Sequence, residues 1–296
     1  MNEHSKDAPP ISQAMIDAYD EYTHLTLDRR SLMRKLTALT GSGAAAAVIL
    51  PMLSADKAAA AMVTPDDARI VSQTVSFKGA TGDVSGNLVR PAGSEAQLPS
   101  IVVIHENRGL NPHIQDIARR LALEGFMALA VDFLSPAGGT PQDEDKARSM
   151  IGELDGANTL ANAVAAADFL RSHGGSNGKV GAVGFCWGGG LANQLAVASP
   201  ELAAAVAYYG RQADAARVPE IKASLLLHYA GLDERINAGI DAYRTALEQN
   251  GKDFTIHVYE GVNHAFNNDT ASARYDKAAA DLAWGRTVAF FREKLA

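Results

Sequence analysis

Apolar and polar positions along this chain switch between two periods from about Thr64 onward. The segments RIVSQTVSFKG (69–79) and GDVSGNLVRP (82–91) alternate apolar and polar residues, which predicts two antiparallel strands with one solvated face. PSIVVIHE (99–106) is a short unbroken apolar run, the pattern of a strand covered on both faces. HIQDIARRLALEGF (113–126) then shifts to helical spacing, with Ile114, Ile117, Ala118 and Leu121 on one face and Gly125 as the stop. Strands follow at 127–133, 179–185, 202–210, 223–231 and 253–261. Helices are expected at 143–154, 157–174, 187–199, 236–251 and 272–295. Strand and helix in regular alternation imply right-handed β-α-β units. The fold class expected is therefore α/β: a mostly parallel twisted sheet with an antiparallel N-terminal strand pair and helices on both faces, in one domain over residues 64–296.

The first sixty residues follow another pattern. Arg29, Arg30, Arg34 and Lys35 form a basic zone, Leu36 to Leu53 carries no charge, and Ala58 to Ala61 supplies small residues suited to a signal-peptidase site. The pair Arg29-Arg30 resembles a twin-arginine export signal, so residues 29–61 are expected to be a signal segment. That places the protein in the periplasm or outside the cell if the signal is used, and in the cytoplasm otherwise. The apolar run is interrupted by Gly41, Gly43 and Pro51, so no stable membrane span is expected. Residues 1–28 carry several acids and read as a helical or disordered extension. A helix over about 12–25 would dock on the body or on a second subunit, the latter giving a homodimer.

Composition narrows the chemistry. The chain has 296 residues and a net charge of −7, without the clustered basic residues of a nucleic-acid footprint. Its single cysteine, Cys186, excludes an internal disulfide and a cysteine-based zinc cluster. That cysteine lies in AVGFCWGG, between an apolar strand and a helix, with Gly184 and Gly188 on either side. A nucleophile on so sharp a turn needs small neighbours, and the helix that follows offers free amides and a dipole that favours a thiolate. A nucleophilic thiol needs a base, and the base an orienting acid. Of the three histidines after Cys186, His228 and His257 lie within strands, whereas His264 falls in the loop after the last strand. Asp233 follows the preceding strand after a Gly turn, or else caps the helix that begins beside it. The loop after 99–106 is expected to place the amide of Asn107 opposite that of Trp187, as an oxyanion hole, and Glu106 close to the thiol. A metal site from His105, Glu106 and His264 lacks the helical His pair of zinc hydrolases. No metal and no organic cofactor are expected.

The pieces IHENRGLN, GFCWGG, AYYG, HYAGLDERI and GVNHAF, in this order, resemble the dienelactone hydrolases, a cysteine branch of the α/β-hydrolase superfamily. The resemblance covers the chain from about residue 70 and implies the α/β-hydrolase fold with a Cys186–His264–Asp233 triad. It also implies that Glu106 holds the resting thiol until substrate displaces it. Hydrolysis of a small carboxylic ester or lactone through a thioester acyl-enzyme is the activity expected. A thioesterase or other acyl hydrolase on the same scaffold, or a non-catalytic ligand-binding or thiol-sensing protein, are the alternatives. The arginines that hold the carboxylate of dienelactone in that family have no counterpart in VDFLSPAGG or HAFNND. Arg108, Arg211 and Asn268 are the substrate-binding candidates that remain.

Overall fold

The computed structural model describes residues 10–24, 27–56 and 61–296; Ala58 to Ala60 of the expected cleavage region lie outside them. Strands β1 (Ile70–Gly79), β2 (Gly82–Pro91), β3 (Leu98–Ile104), β4 (Met127–Asp132), β5 (Ser176–Phe185), β6 (Ala204–Tyr208), β7 (Ser224–Ala230) and β8 (Phe254–Tyr259) form one sheet in the order β1-β2-β4-β3-β5-β6-β7-β8. β1 pairs antiparallel with β2, and β2 antiparallel with β4; every other pairing is parallel. The mixed sheet expected from the sequence is thus present.

Side-chain alternation sorts the central strands onto two cores. Val102 and Ile104 of β3 face the side covered by α6 (Gly156–Ser172), α7 (Trp187–Ala198) and α9 (Ile240–Gln249). Ile101 and Val103 face the other side, against α4 (Pro112–Leu123) and α10 (Lys277–Lys294). All four are fully buried, and each such side chain contributes about 1.5–3 kcal/mol of transfer free energy.

Two helices differ from the expectation. The 236–251 segment splits into α8 (Glu234–Asn237) and α9, because Gln212 packs against Gly239 and donates to the Ile236 carbonyl at 3.0 Å. The closing helix starts at Lys277 rather than Ser272. Asp276 caps it by accepting from the Ala279 amide, and its own amide is tied to the Phe266 carbonyl.

The N-terminal segment forms three helices: α1 (Gln13–Thr23), α2 (Arg29–Thr40) and α3 (Gly43–Leu53). They share a small core of their own, in which Met15, Tyr19 and Tyr22 meet Leu32, Leu36, Ile49 and Leu53. The basic zone lies in α2, where Arg29 pairs with Asp145 of α5 (Glu144–Gly152) at 2.9 Å, and the apolar run lies in α3. Among the described residues no single helix is long and apolar enough to cross a membrane; α2 and α3 pass that test only together, bent by 112°. Polar contacts carry much of the docking. Tyr19 accepts from Arg108, the Tyr22 carbonyl from Arg148, and the Thr23 carbonyl from the Asn107 side chain.

Candidate active site

The parallel strands deliver their following loops to one edge of the sheet, where α/β folds hold their chemistry. β5 ends in Phe185, and Cys186 follows with φ 53° and ψ −114°, a strained conformation for a residue with a β-carbon. The flanking glycines follow from close approach. A β-carbon on Gly184 would lie 1.9 Å from the Gly188 carbonyl oxygen, and one on Gly188 would lie 2.4 Å from that of His105. The Cys186 amide donates to the Tyr208 carbonyl at 3.0 Å, which fixes the turn against β6. Trp187 opens α7, so its amide has no acceptor within the helix.

Asp233, after β7, has both roles weighed from the sequence. Oδ1 accepts from the Ile236 amide at 3.2 Å and caps α8, while Oδ2 lies 2.5 Å from His264 Nδ1. The loops are locked together by bonds from the Gly231 amide to the Tyr259 carbonyl and from the Leu232 amide to the Val262 carbonyl. His264 turns its buried Nε2, which has no hydrogen-bond partner, toward the thiol. Burial works against an imidazolium here, yet Asp233 and the Cys186 thiolate raise His264 well above its ordinary pKa.

A second imidazole meets the same sulfur. His24, the residue after α1, places Nε2 at 3.4 Å from Cys186 Sγ, and its ring packs edge-on to His264 with centroids 4.8 Å apart. Burial alone would push the thiol up; the two histidines, His264 first, outweigh it and hold Cys186 at about 6. The resemblance implied a resting thiol held by Glu106; the two imidazoles act in the opposite direction and favour the thiolate. Glu106 is buried on a small cavity it shares with Cys186. Its carboxylate accepts from Asn268 Nδ2 at 2.9 Å and from the Tyr209 hydroxyl at 3.4 Å.

A larger cavity of about 400 Å³ opens beside the thiol. Its wall includes Trp187, Leu191, Ile151 and Leu154 as apolar surface, with Arg211 and Arg235 at the rim. Asn107 lines both cavities, and its side chain holds the end of α1. Arg108 is not on the large cavity's wall: its guanidinium binds Glu144 at 3.0 Å and Tyr19 at 3.1 Å. Asn268 is likewise occupied by Glu106. His105 cannot join Glu106 and His264 as a ligand set, since Nδ1 faces the Glu106 carbonyl at 2.6 Å and Nε2 accepts from the Phe133 amide.

Cys186, Asp233 and His264 thus converge from three separate loops. A family model described as the dienelactone hydrolase family matches residues 84–295. The chain belongs to the dienelactone hydrolase family. The Escherichia coli O157:H7 protein named "Putative carboxymethylenebutenolidase" is 31% identical over 244 residues, covering 78% of this chain and 89% of its own. Protein usf of Aquifex pyrophilus is 35% identical over 76% of this chain and all of its own. Among solved structures, a dienelactone hydrolase-like promiscuous phosphotriesterase from metagenomic libraries aligns with TM-score 0.70 and 26% identity, over 77% of this chain and 100% of its own. The family match begins beyond α1, so His24 and its partner Asp20 stand outside it. Sequence reasoning missed both, along with Arg148 and Arg235; an amphipathic α1 was the only local signal, and it does not reveal what the helix touches.

Proposed function

We propose that this dienelactone hydrolase family member, a hydrolase of carboxylic ester bonds, cleaves small esters or lactones with Cys186 as nucleophile and a thioester as intermediate. The thiolate attacks the carbonyl carbon, and the carbonyl π pair moves to oxygen, where the Trp187 and Asn107 amides receive it. As the C–O bond breaks, His264 protonates the leaving oxygen. Water then attacks the thioester, gives its proton to His264 and expels the thiolate as the acid leaves. Asp233 holds the ring so that Nε2, not Nδ1, faces sulfur.

The observation that carries the reading is the 2.5 Å Asp233–His264 pair beside a cysteine at φ 53° on a strand-to-helix turn. The cavity beside it suits a small substrate, and Arg211 and Arg235 at its rim favour an anionic substituent. Replacing Cys186→Ala is expected to lower kcat on small aryl esters and lactones by about 10³-fold or more. Intact-mass measurement of a His264→Ala variant incubated with substrate should show an acyl adduct on Cys186. Undiminished hydrolysis by Cys186→Ala overturns this assignment.

A further inference from the structure

The nucleophile has two histidine–aspartate pairs. His264 approaches with Asp233, and His24 approaches from the N-terminal extension with Asp20. His24 Nδ1 lies 2.8 Å from the Asp20 carbonyl oxygen and 3.3 Å from its carboxylate, so Nδ1 carries a proton. Nε2 then faces Cys186 Sγ at 3.4 Å and the Arg235 guanidinium at 2.9 Å. The ligand-type atoms of His24, Cys186 and His264 all lie within 4.8 Å of one another. His24 is also the residue that ends α1, where the negative end of the helix dipole favours a cationic ring.

We infer that His24 is a second catalytic histidine, supplied by the N-terminal extension, which takes the Cys186 thiol proton and remains as counter-ion to the thiolate through the reaction. The inference rests on Cys186 being the nucleophile. The proton moves from sulfur to His24 Nε2 before substrate reacts. The thiolate electron pair forms the C–S bond, and His264, not His24, gives its proton to the leaving oxygen and takes one back from water. When the thioester breaks, the sulfur regains its pair beside the His24 imidazolium, so His24 ends each cycle as it began. This division explains why one sulfur has two imidazoles: one balances its charge while the other moves protons.

With Arg235 donating to Nε2 the ring shown is neutral and able to accept the thiol proton, and its other neighbours favour the charged form that results. Burial opposes it, but the Cys186 thiolate and Asp20 hold His24 up at about 9. The charged groups that face it are Asp20 on its own helix, Arg235 of α8, and Cys186 and His264 across the cavity, with Asp233 behind His264. Glu106 and Arg148 lie further along the walls, and Arg274 acts on Asp20. Arg235, 42% exposed, is free to shift toward Asp20, 3.9 Å away, once Nε2 is protonated.

Iodoacetamide labelling of the full chain reads this out cleanly, because Cys186 is its only thiol. The wild-type rate should follow a midpoint near 6, set by the two imidazoles. In His24→Gln the midpoint is expected to rise by about one unit or more. Its kcat/KM on a small aryl ester at pH 7 should fall about 10- to 100-fold, mostly in kcat. Asp20→Asn should move both readings the same way by less, and added imidazole should restore part of the rate of His24→Ala. Superimposable labelling profiles with kcat/KM within about two-fold of wild type overturn the inference. If His24→Gln does not fold, Asp20→Asn and the imidazole rescue decide it by the same criteria. A Cys186→Ala variant that still hydrolyses ester overturns the proposed function, whereas an inactive Cys186→Ala beside an unaffected His24→Gln overturns only the role of His24.

Discussion

Cys186 sits in a backbone conformation that costs about 1–3 kcal/mol for a residue with a β-carbon, and its neighbours are chosen to tolerate it. Two more positive-φ residues with side chains line the same edge: Tyr209 at φ 38°, whose hydroxyl meets Glu106, and Ala265 at φ 66°, immediately after His264. The strain is thus gathered where the reacting groups are aimed. The tightest point is Gly184, whose added β-carbon would lie 1.9 Å from backbone that cannot swing aside. Gly184→Ala is expected to destabilise the fold by about 3 kcal/mol or more. Cys186→Ser should leave stability within about 1 kcal/mol of wild type, since it alters one atom of the side chain. Thermal unfolding of both variants checks the pair, and a Gly184→Ala melting temperature equal to wild type would contradict the close approach. This part of the site was legible in the sequence, because the glycine spacing answers a purely local demand of the turn.

At the level of elements, the loop after His264 is pinned from two directions. Asn268 binds Glu106, and the next residue, Asp269, reaches α4, where it meets His113 at 2.9 Å and also pairs with Arg120. Burial would raise the Asp269 pKa, but these partners, His113 before Arg120, hold it at about 2 against an ordinary 3.8. A depressed carboxylate pKa stabilises the fold fully above the unfolded value and loses that contribution as pH falls through the folded value. The contribution should therefore be intact above about pH 4 and fade toward pH 2. Asp269→Asn is expected to cost about 1–2 kcal/mol at pH 7, reduced from the fully buried figure by its partial exposure. It should also narrow the difference from wild type as pH drops from 4 to 2, which urea unfolding at several pH values measures. A destabilisation that stays constant across that range would mean that packing, not charge, holds the loop. The strands and most helices at this scale followed from periodicity, whereas the break between α8 and α9 did not. It is made by Gln212, a residue from another loop, and no local pattern announces it.

Across the whole molecule the N-terminal layer changes the picture most. Residues 1–28 read as an extension and 29–61 as an export signal in sequence; the described part of this segment packs as three helices, the first of which ends at His24 against Cys186. Arg108 and Arg148 are both buried, and both bind α1, through Tyr19 and the Tyr22 carbonyl. Removing α1 would leave those guanidinium groups without these partners and open the thiol to solvent. The active enzyme isolated from its host is therefore expected to retain this layer, as N-terminal sequencing and intact mass will show. A fully active species beginning after Ala61 would contradict it, and would fit an export signal that is cut away.

The alternation of two periods determined the sheet, its layers and the order of its elements, because buried strands and amphipathic helices carry their environment in their own residues. The same logic reached Cys186, Asp233 and His264: each lies just past a strand, where the fold has to deliver its loops. Only the tertiary structure decided what stands on the far side of the sulfur. His24 and Cys186 are 162 residues apart, and nothing in the local chemistry of α1 distinguishes a helix that closes an active site from one that lies elsewhere. The contact exists because three short helices share an apolar core of their own and are held at the sheet edge by Arg108, Arg148 and Asn107, and that packing, not any motif, brings the second imidazole to the thiol.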